Sequence, residues 1–307
     1  MVEAFKPASL SEALEVRSNK HAIPFAGGTD LMVRFRARDG MAPPFGLPIL
    51  FVDSLPELNT ARMHNGGLII GASVPLSILI GEGNAAGRAK IAPAFEADAL
   101  AAMPRVLREA IASVGAPALR NRATIGGNLA NASPAGDSIA ALYALRAEII
   151  LTSLGGERTA PIEEFILGPG EISLKGDEII RAIYISPPLP NWTYWRKVGT
   201  RRTNALTKVS LAAAASIGDG RIKSCSFAFG AVGPRVVRIH EAEELLQARL
   251  MAGSEEELRE ITAEAAGHAS PLIAPIDDQR STARYRRAAA LNLMGDAIES
   301  LQAHLHD

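Results

Sequence analysis

Residues 119–137 have the sequence LRNRATIGGNLANASPAGD, the most informative stretch of the chain. An apolar residue, Ile125, leads into the glycine pair Gly126-Gly127, and the small polar residue Asn128 follows it. Glycine has no Cβ and tolerates positive φ, so a glycine pair lets consecutive backbone N–H groups converge on an oxyanion. Where such a turn leads into a helix, the helix N-terminus adds partial positive charge. The stretch therefore indicates a phosphate-binding turn.

A second glycine pair lies near the N-terminus, in the segment PFAGGTDL at residues 24–31. A short apolar run again precedes the pair, Gly27-Gly28, and the polar Thr29 follows it. A diphosphate carries about two negative charges, and two such turns facing each other could hold it without a lysine. The alternative is that each pair is an ordinary turn. The chain has neither Gly-x-Gly-x-x-Gly in these segments nor Gly-x-x-x-x-Gly-Lys, so Rossmann-type and P-loop sites lack support.

The composition excludes several classes of protein. The 307 residues carry 32 basic and 33 acidic side chains, without the basic excess of a nucleic-acid binder. Arginines within 34–38 and 280–287 are interpreted as solvated helix faces. The single cysteine, Cys225, excludes an internal disulfide and is expected to be a small buried residue in a strand. With no secretory signal and no apolar run long enough to span a bilayer, we expect a cytoplasmic protein without membrane insertion.

Apolar periodicity and turn residues predict an α+β chain. Ser9, with Glu12 three residues later, predicts a helix N-cap. Helices are predicted near residues 10–17, 29–38, 97–114, 137–145, 239–250, 254–267 and from 281 towards the end. Strands are predicted near residues 23–26, 49–52, 67–72, 148–152, 178–185, 211–217 and 222–229. A glycine- and proline-rich stretch at 165–176 predicts a boundary between domains 1–172, with subdomains of about 1–56 and 57–172, and 173–307.

The sequence offers few side chains for chemistry of its own. Its aromatic cluster, Trp192, Tyr194 and Trp195, favours either core packing or a lid over a bound ring. The histidines are scattered, without His-Glu-x-x-His, and no Gly-x-Ser-x-Gly nucleophile elbow is present. We therefore expect neither catalytic residues nor metal ligands in this chain.

Taken together, these segments resemble the FAD-binding (medium) subunits of the xanthine dehydrogenase and carbon monoxide dehydrogenase family of molybdenum hydroxylases. The most specific match is residues 119–137. The other matching segments follow in order at 26–31, 67–72, 197–202, 275–280 and 285–287. The resemblance implies an FAD-binding domain of the PCMH or vanillyl-alcohol-oxidase type, built from two subdomains. A CO dehydrogenase flavoprotein C-terminal-like α+β domain would follow it.

The resemblance also implies which residues bind a noncovalent FAD. The two glycine segments would hold its diphosphate, Asp137 a ribose or ribityl hydroxyl, and Ile179 and Lys197 the isoalloxazine side. For Lys197 the alternative is a surface lysine on a strand. The complete implied set is Pro24, Phe25, Ala26, Gly27, Gly28, Thr29, Asp30, Leu31, Val114, Gly115, Thr124, Ile125, Gly126, Gly127, Asn128, Asp137, Ile179 and Lys197.

The implied role is that of an oxidoreductase subunit in an (αβγ)2 assembly of heterotrimers. A large molybdopterin subunit would oxidise the substrate, and a small subunit would relay electrons through [2Fe–2S] clusters. This chain would receive them on FAD and pass them to NAD⁺, oxygen, a quinone or another acceptor. One alternative is a free-standing flavin-dependent oxidase or reductase of the vanillyl-alcohol oxidase superfamily that acts directly on a small substrate. Another is an assembly scaffold without a cofactor, which the intact glycine turns and Asp137 disfavour.

Overall fold

The chain divides into two compact units that do not follow one another along the sequence. A computed structural model describes residues 2–36, 45–82, 95–201, 204–251 and 253–305. Unit 1 consists of Met1–Met103, Gly115–Asn131 and Glu148–Pro187. Unit 2 consists of Pro104–Val114, Ala132–Ala147 and Pro188–Asp307. The domain boundary at residue 172 stays a prediction.

The chain contains both helices and strands, largely in separate runs, as expected for an α+β protein. The helices are α1 (Leu10–Lys20), α2 (Leu31–Arg34), α3 (Leu76–Leu79), α4 (Ala97–Ala101), α5 (Arg105–Ala112), α6 (Pro117–Arg120), α7 (Ile125–Asn131), α8 (Asp137–Ala144), α9 (Ile162–Phe165), α10 (His240–Arg249), α11 (Glu255–Ala269) and α12 (Ala283–Leu305). The strands are β1 (Ala4–Phe5), β2 (Ile23–Phe25), β3 (Ile49–Phe51), β4 (Ala61–His64), β5 (Gly67–Gly71), β6 (Glu148–Ser153), β7 (Gly156–Pro161), β8 (Ile166–Gly168), β9 (Glu171–Ile172), β10 (Ile179–Ile185), β11 (Trp192–Val198), β12 (Val209–Gly218), β13 (Arg221–Gly230) and β14 (Val237–Arg238). None of the helices in the described part of the chain is both long and apolar enough to cross a membrane.

Unit 1 contains a small parallel sheet in the order β1-β3-β2. The predicted N-cap of α1 is confirmed, because the Ser9 hydroxyl accepts a hydrogen bond from the backbone N–H of Glu12 at 3.2 Å. The buried face of α1, Ala13 and Leu14, belongs to the same core as Leu50 of β3. This core fixes the end of β2, from which the first glycine segment leaves the sheet.

A larger antiparallel sheet in unit 1 has the order β4-β5-β10-β6-β7. Every residue of β5 is buried, as expected for a strand with neighbours on both sides. The predicted strand near 178–185 is confirmed as β10, and it lies between β5 and β6. Sequence analysis missed β7, whose residues are mostly polar and exposed and so lack an apolar alternation.

A buried carboxylate stabilises the start of β10. Arg158 of β7 donates to both oxygens of Glu178, at 2.6 and 2.8 Å. The Lys175 backbone N–H donates to the same carboxylate at 2.8 Å. The hydrogen bonds from Arg158 lower the pKa of Glu178, and that of the Lys175 amide acts in the same direction.

We expect acid to weaken unit 1 through Glu178. Because its pKa is lower in the folded chain than its ordinary value of 4.5, its contribution to stability is complete above that value. The contribution is lost as the pH falls through the lower folded pKa. The difference in melting temperature between the wild type and Glu178→Gln should therefore shrink between about pH 5 and pH 3. A difference that stays constant over this range would contradict the assignment.

Unit 2 is built on an antiparallel sheet in the order β11-β12-β13-β14, with its helices packed against it. Its core brings Phe227 and Phe229 of β13 together with residues of α10, α11 and α12. Trp192 and Tyr194 of β11 also lie in this core, with ring centroids 6.4 Å apart. Trp192 and Tyr194 therefore pack in the interior of unit 2, and Trp195 is buried as well.

Two predicted helices are shorter than expected. The helix predicted over residues 97–114 is divided into α4 and α5, because Pro104 is extended (ψ 135°) and caps the second helix. The helix predicted over 29–38 is only the single turn α2, which ends at Arg34 with Phe35 as its C-cap, and residues 37 and 38 lie outside the described ranges.

A buried ionic cluster connects α10 to the sheet of unit 2. The Glu243 carboxylate accepts hydrogen bonds from the Phe227 backbone N–H at 2.8 Å and from Arg238 Nε at 3.2 Å. Arg146 Nη2 lies 3.9 Å from the same carboxylate. The side chains of Arg238 and Glu243 are only 7% and 5% exposed. The buried charges of Arg238 and Glu243 therefore compensate each other.

Cys225 confirms the expectation of a buried residue in a strand, because it lies in β13 and is 2% exposed. Its Sγ lies 3.3 Å from the Glu243 backbone carbonyl. Burial, reinforced by the Glu243 carboxylate, raises the pKa of the thiol to about 12.

We expect Cys225 not to react with thiol reagents in the native chain. At pH 8 a thiol with so high a pKa is almost entirely protonated, and the thiolate is the reactive form. Titration with Ellman's reagent should detect no thiol in native protein and one per chain in denaturant. Rapid labelling of the native chain would show that this strand opens far more often than its burial indicates.

Candidate functional site

A cavity of about 260 Å³ in unit 1 brings the two glycine segments together. Residues of both segments line it, as do residues of β10 and of the chain after β5, and we call it the diglycine cavity. Twelve of the eighteen residues that the resemblance implies line it: Pro24, Ala26, Gly27, Gly28, Thr29, Asp30, Leu31, Thr124, Gly126, Gly127, Asn128 and Ile179. The segments are about a hundred residues apart in sequence, so their meeting is a property of the fold.

The absence of a Cβ lets the backbones of these segments approach closely. A Cβ at Gly27 would lie 2.0 Å from the Arg122 carbonyl oxygen and 3.0 Å from Ala123 Cα. A Cβ at Gly126 would lie 2.6 Å from Ala72 Cβ. Gly27 therefore contacts the second segment directly, while Gly126 packs against the chain that follows β5.

The N-terminal glycine segment forms a turn at residues 27–31 that has unpaired backbone donors. We call it the amide turn. Gly28 has a φ of +74°, which favours glycine. Within the described part of the chain, the backbone N–H groups of residues 28–31 donate to no protein acceptor. The next donor, the Met32 N–H, closes the turn on the Gly28 carbonyl at 3.0 Å. Successive unpaired amides at a turn form a concave site for an anion.

The other glycine segment, which contains Gly126 and Gly127, does not form the phosphate-binding turn that the sequence predicts. Gly126 and Gly127 lie inside the first turn of α7 and have no positive φ. The Gly126 N–H donates to the Ala72 carbonyl at 2.9 Å, and the Gly127 N–H donates to Thr124 Oγ1 at 3.1 Å. These amides thus have protein acceptors, and the glycines serve close packing. The amide turn is the glycine segment with consecutive unpaired backbone donors among the described residues.

The remaining implied residues lie elsewhere. Phe25 and Ile125 belong to unit 1 without lining the cavity; the Phe25 ring supports Gly28, since a Cβ there would lie 2.4 Å from Phe25 Cζ. Gly115, with φ +52°, is also in unit 1 and contacts Leu119. Val114, Asp137 and Lys197 belong to unit 2.

Asp137 and Lys197 form a buried ion pair within unit 2. Lys197 Nζ lies 2.5 Å from Asp137 Oδ2 and 3.0 Å from the Ser113 carbonyl oxygen. Thr207 Oγ1 donates to the other oxygen, Oδ1, at 2.6 Å. Burial raises the pKa of Asp137, and the attraction of Lys197 opposes this only in part. Lys197 is therefore not a surface lysine, since its side chain is only 12% exposed.

Sequence reasoning missed several residues of the cavity. Val52, Leu174 and Ile180 give it an apolar wall, and no local motif marks them. Arg34 also lines the cavity, and it is exposed, as expected from its run of arginines. The signal available in the sequence was its spacing: Arg34 lies four residues after Asp30, which places both on the same face of a helix. Among the described residues, no group of three or more His, Cys, Asp and Glu could hold a metal ion.

Comparison with known proteins places both parts of the chain in described families. The model of the FAD binding domain in molybdopterin dehydrogenase matches residues 1–189, and that of the CO dehydrogenase flavoprotein C-terminal domain matches residues 194–301. The glyceraldehyde dehydrogenase medium chain of Sulfolobus acidocaldarius is 28% identical, over 91% of this chain and 90% of its own. The carbon monoxide dehydrogenase medium chain of Hydrogenophaga pseudoflava is 26% identical, over 98% and 97%.

A solved structure shows the same fold. A chain of the reconstituted CO dehydrogenase from Oligotropha carboxidovorans superposes with a TM-score of 0.82 at 24% identity. The superposition covers 99% of this chain and 98% of that one. The arrangement of α+β elements is thus shared along nearly the whole length.

Proposed function

The chain belongs to the family of FAD-binding subunits of molybdopterin dehydrogenases, and we propose that it passes electrons out of a molybdenum hydroxylase complex to an acceptor. It would take electrons from the [2Fe–2S] clusters of a small subunit and pass them to NAD⁺, oxygen, a quinone or another acceptor. A large molybdopterin subunit would oxidise the substrate. An (αβγ)2 assembly and a cytoplasmic location are part of the same proposal.

The observation that carries this proposal is the amide turn. Four consecutive unpaired N–H groups, beside glycines that admit no side chain, fit the diphosphate of FAD. They form hydrogen bonds to anionic oxygen without a lysine and without rearranging.

The rest of the diglycine cavity suits the other parts of the same cofactor. Val52, Leu174 and Ile180 offer an apolar wall that excludes water from one side of a bound ring. When bound, FAD supplies chemistry that accepts electrons singly and releases them in pairs. The protein would supply binding and orientation.

Asp137 and Lys197 keep the cofactor-binding role that the resemblance implies. Lys197 donates two hydrogen bonds within unit 2, to Asp137 and to Ser113, whereas an ammonium has three donors. Among the described residues, no third acceptor contacts the ammonium, so one donor remains for a ligand. Asp137 holds the ammonium in place with Oδ2, whereas Thr207 donates to Oδ1.

The proposal is tested first with the full chain. Reconstitution with FAD, followed by gel filtration, should leave about one FAD per chain, and acid denaturation should release it unchanged because the attachment is noncovalent. A preparation that remains colourless after reconstitution would overturn the proposal.

A second experiment tests the electron-transfer role. Co-expression with the large molybdopterin and small [2Fe–2S] proteins should give a complex of three chains, in which substrate bleaches the flavin absorbance. The FAD-loaded chain alone should oxidise neither alcohols nor aldehydes. Oxidation by the isolated chain would favour the free-standing flavin oxidase instead.

A further inference from the structure

Arg34 is the one lysine or arginine among the described residues that line the diglycine cavity. It is the last residue of α2, and its backbone N–H donates to the Asp30 carbonyl at 2.9 Å. Its side chain therefore begins one helical turn from the amide turn. Arg34 is exposed, as the sequence pattern predicted, and it also lines the cavity.

The charge of Arg34 has no compensating carboxylate among the described residues. Within the described ranges, its guanidinium has no hydrogen-bond acceptor and no carboxylate within 4.0 Å. Asp30 lines the same cavity without forming an ion pair with it. Asp30 would repel a bound diphosphate, so a cation nearby is needed to make the cavity electrostatically favourable for one.

The position of the guanidinium is defined by a glycine on the opposite element. A Cβ at Gly170 would lie 3.2 Å from Arg34 Nη2, so the guanidinium lies directly against this backbone. Gly170 has a φ of +75° and forms the turn between β8 and β9, and β9 contacts α7. Arg34 thus extends from α2 to the hairpin that packs on the second glycine segment.

We propose that Arg34 is a binding residue for the diphosphate of FAD and makes the chain select FAD over flavins that lack a phosphate. The inference rests on the proposed function. The amide turn supplies uncharged donors, and Arg34 supplies the positive charge and a planar pair of donors that matches phosphate oxygens. Riboflavin, which carries no phosphate, would gain nothing from it.

The experiment compares Arg34→Gln with Arg36→Gln in the full chain. Arg36, two residues later, is also exposed but does not line the cavity. Its replacement therefore removes the same charge at a position outside the cavity. We expect Arg34→Gln to weaken FAD binding about tenfold and to leave riboflavin binding unchanged. Arg36→Gln should match the wild type. Far-UV circular dichroism and the melting temperature show whether both variants are folded.

Two further measurements locate the lost contact. ADP, which carries the diphosphate without the flavin, should lose affinity by the same factor as FAD in Arg34→Gln. The FAD affinity of this variant should also fall less steeply with added NaCl than that of the wild type, since one screened charge interaction is gone. Equal FAD affinities of Arg34→Gln and Arg36→Gln, with the wild type binding FAD, would overturn this inference alone. A wild-type chain that binds neither FAD nor ADP would overturn the proposed function as well.

Discussion

Replacing Gly27 with alanine should reduce the affinity of the chain for FAD by at least about a hundredfold. The added Cβ would lie 2.0 Å from the Arg122 carbonyl oxygen. Both this oxygen and the neighbouring Ala123 Cα are backbone atoms, so no side-chain rotation relieves the overlap. The two segments have to move apart, and the amides of the turn then lose their common direction. Overpacking of this kind also costs about 1–3 kcal/mol of folding free energy.

The matched control for this prediction is Gly46→Ala. Gly46 also lies in unit 1, but a Cβ there meets no atom of the described residues within 4 Å. This variant should bind FAD as the wild type does, and both affinities are measured by quenching of flavin fluorescence. Circular dichroism distinguishes loss of the site from loss of the fold. If Gly27→Ala folds and retains wild-type affinity, the amide turn does not bind the diphosphate.

Replacing Glu243 with alanine should destabilise the chain by about 3–5 kcal/mol. The substitution leaves the buried guanidinium of Arg238 without its carboxylate and the Phe227 N–H without its acceptor. An uncompensated buried charge is costly because the interior cannot replace the hydration that the charge loses on folding. The measurement is urea denaturation followed by circular dichroism and by tryptophan fluorescence.

Glu244→Ala provides the control within the same helix. Glu244 neighbours Glu243 in α10 but is exposed, so its removal should change stability by less than about 0.5 kcal/mol. Glu243→Gln should fall between the two, because an amide oxygen still accepts a hydrogen bond from Phe227 but carries no charge to balance Arg238. Equal unfolding midpoints for the alanine variants would show that the cluster is not coupled to the core.

Local signals in the sequence predicted the parts of the site that depend on local geometry. Gly28 needs a positive φ, and a glycine pair between a strand and a polar residue indicates such a turn. The break before α5 was missed, although Pro104 lies within the predicted helix and was the signal for it. The helical conformation of Gly126 and Gly127 was also missed, since glycine is a poor helix former and close packing on Ala72 determines it here.

Interactions between distant residues were not predictable from one sequence. Thr207 binds Asp137 across seventy residues, and nothing near either residue indicates the pairing. β10 has the apolar pattern of a buried strand, but the pattern does not specify β5 and β6 as its neighbours. The cavity position of Arg34 likewise depends on where the β8–β9 hairpin folds back.

The interleaved course of the chain has a consequence for its synthesis. On the ribosome, β4 and β5 emerge more than a hundred residues before β10, the strand that joins them to β6 and β7. The five-stranded sheet cannot close until residue 185 has left the exit tunnel, by which time segments of unit 2 have already been made. A truncated product ending at residue 172 would expose the unpaired edges of β5 and β6 and should aggregate.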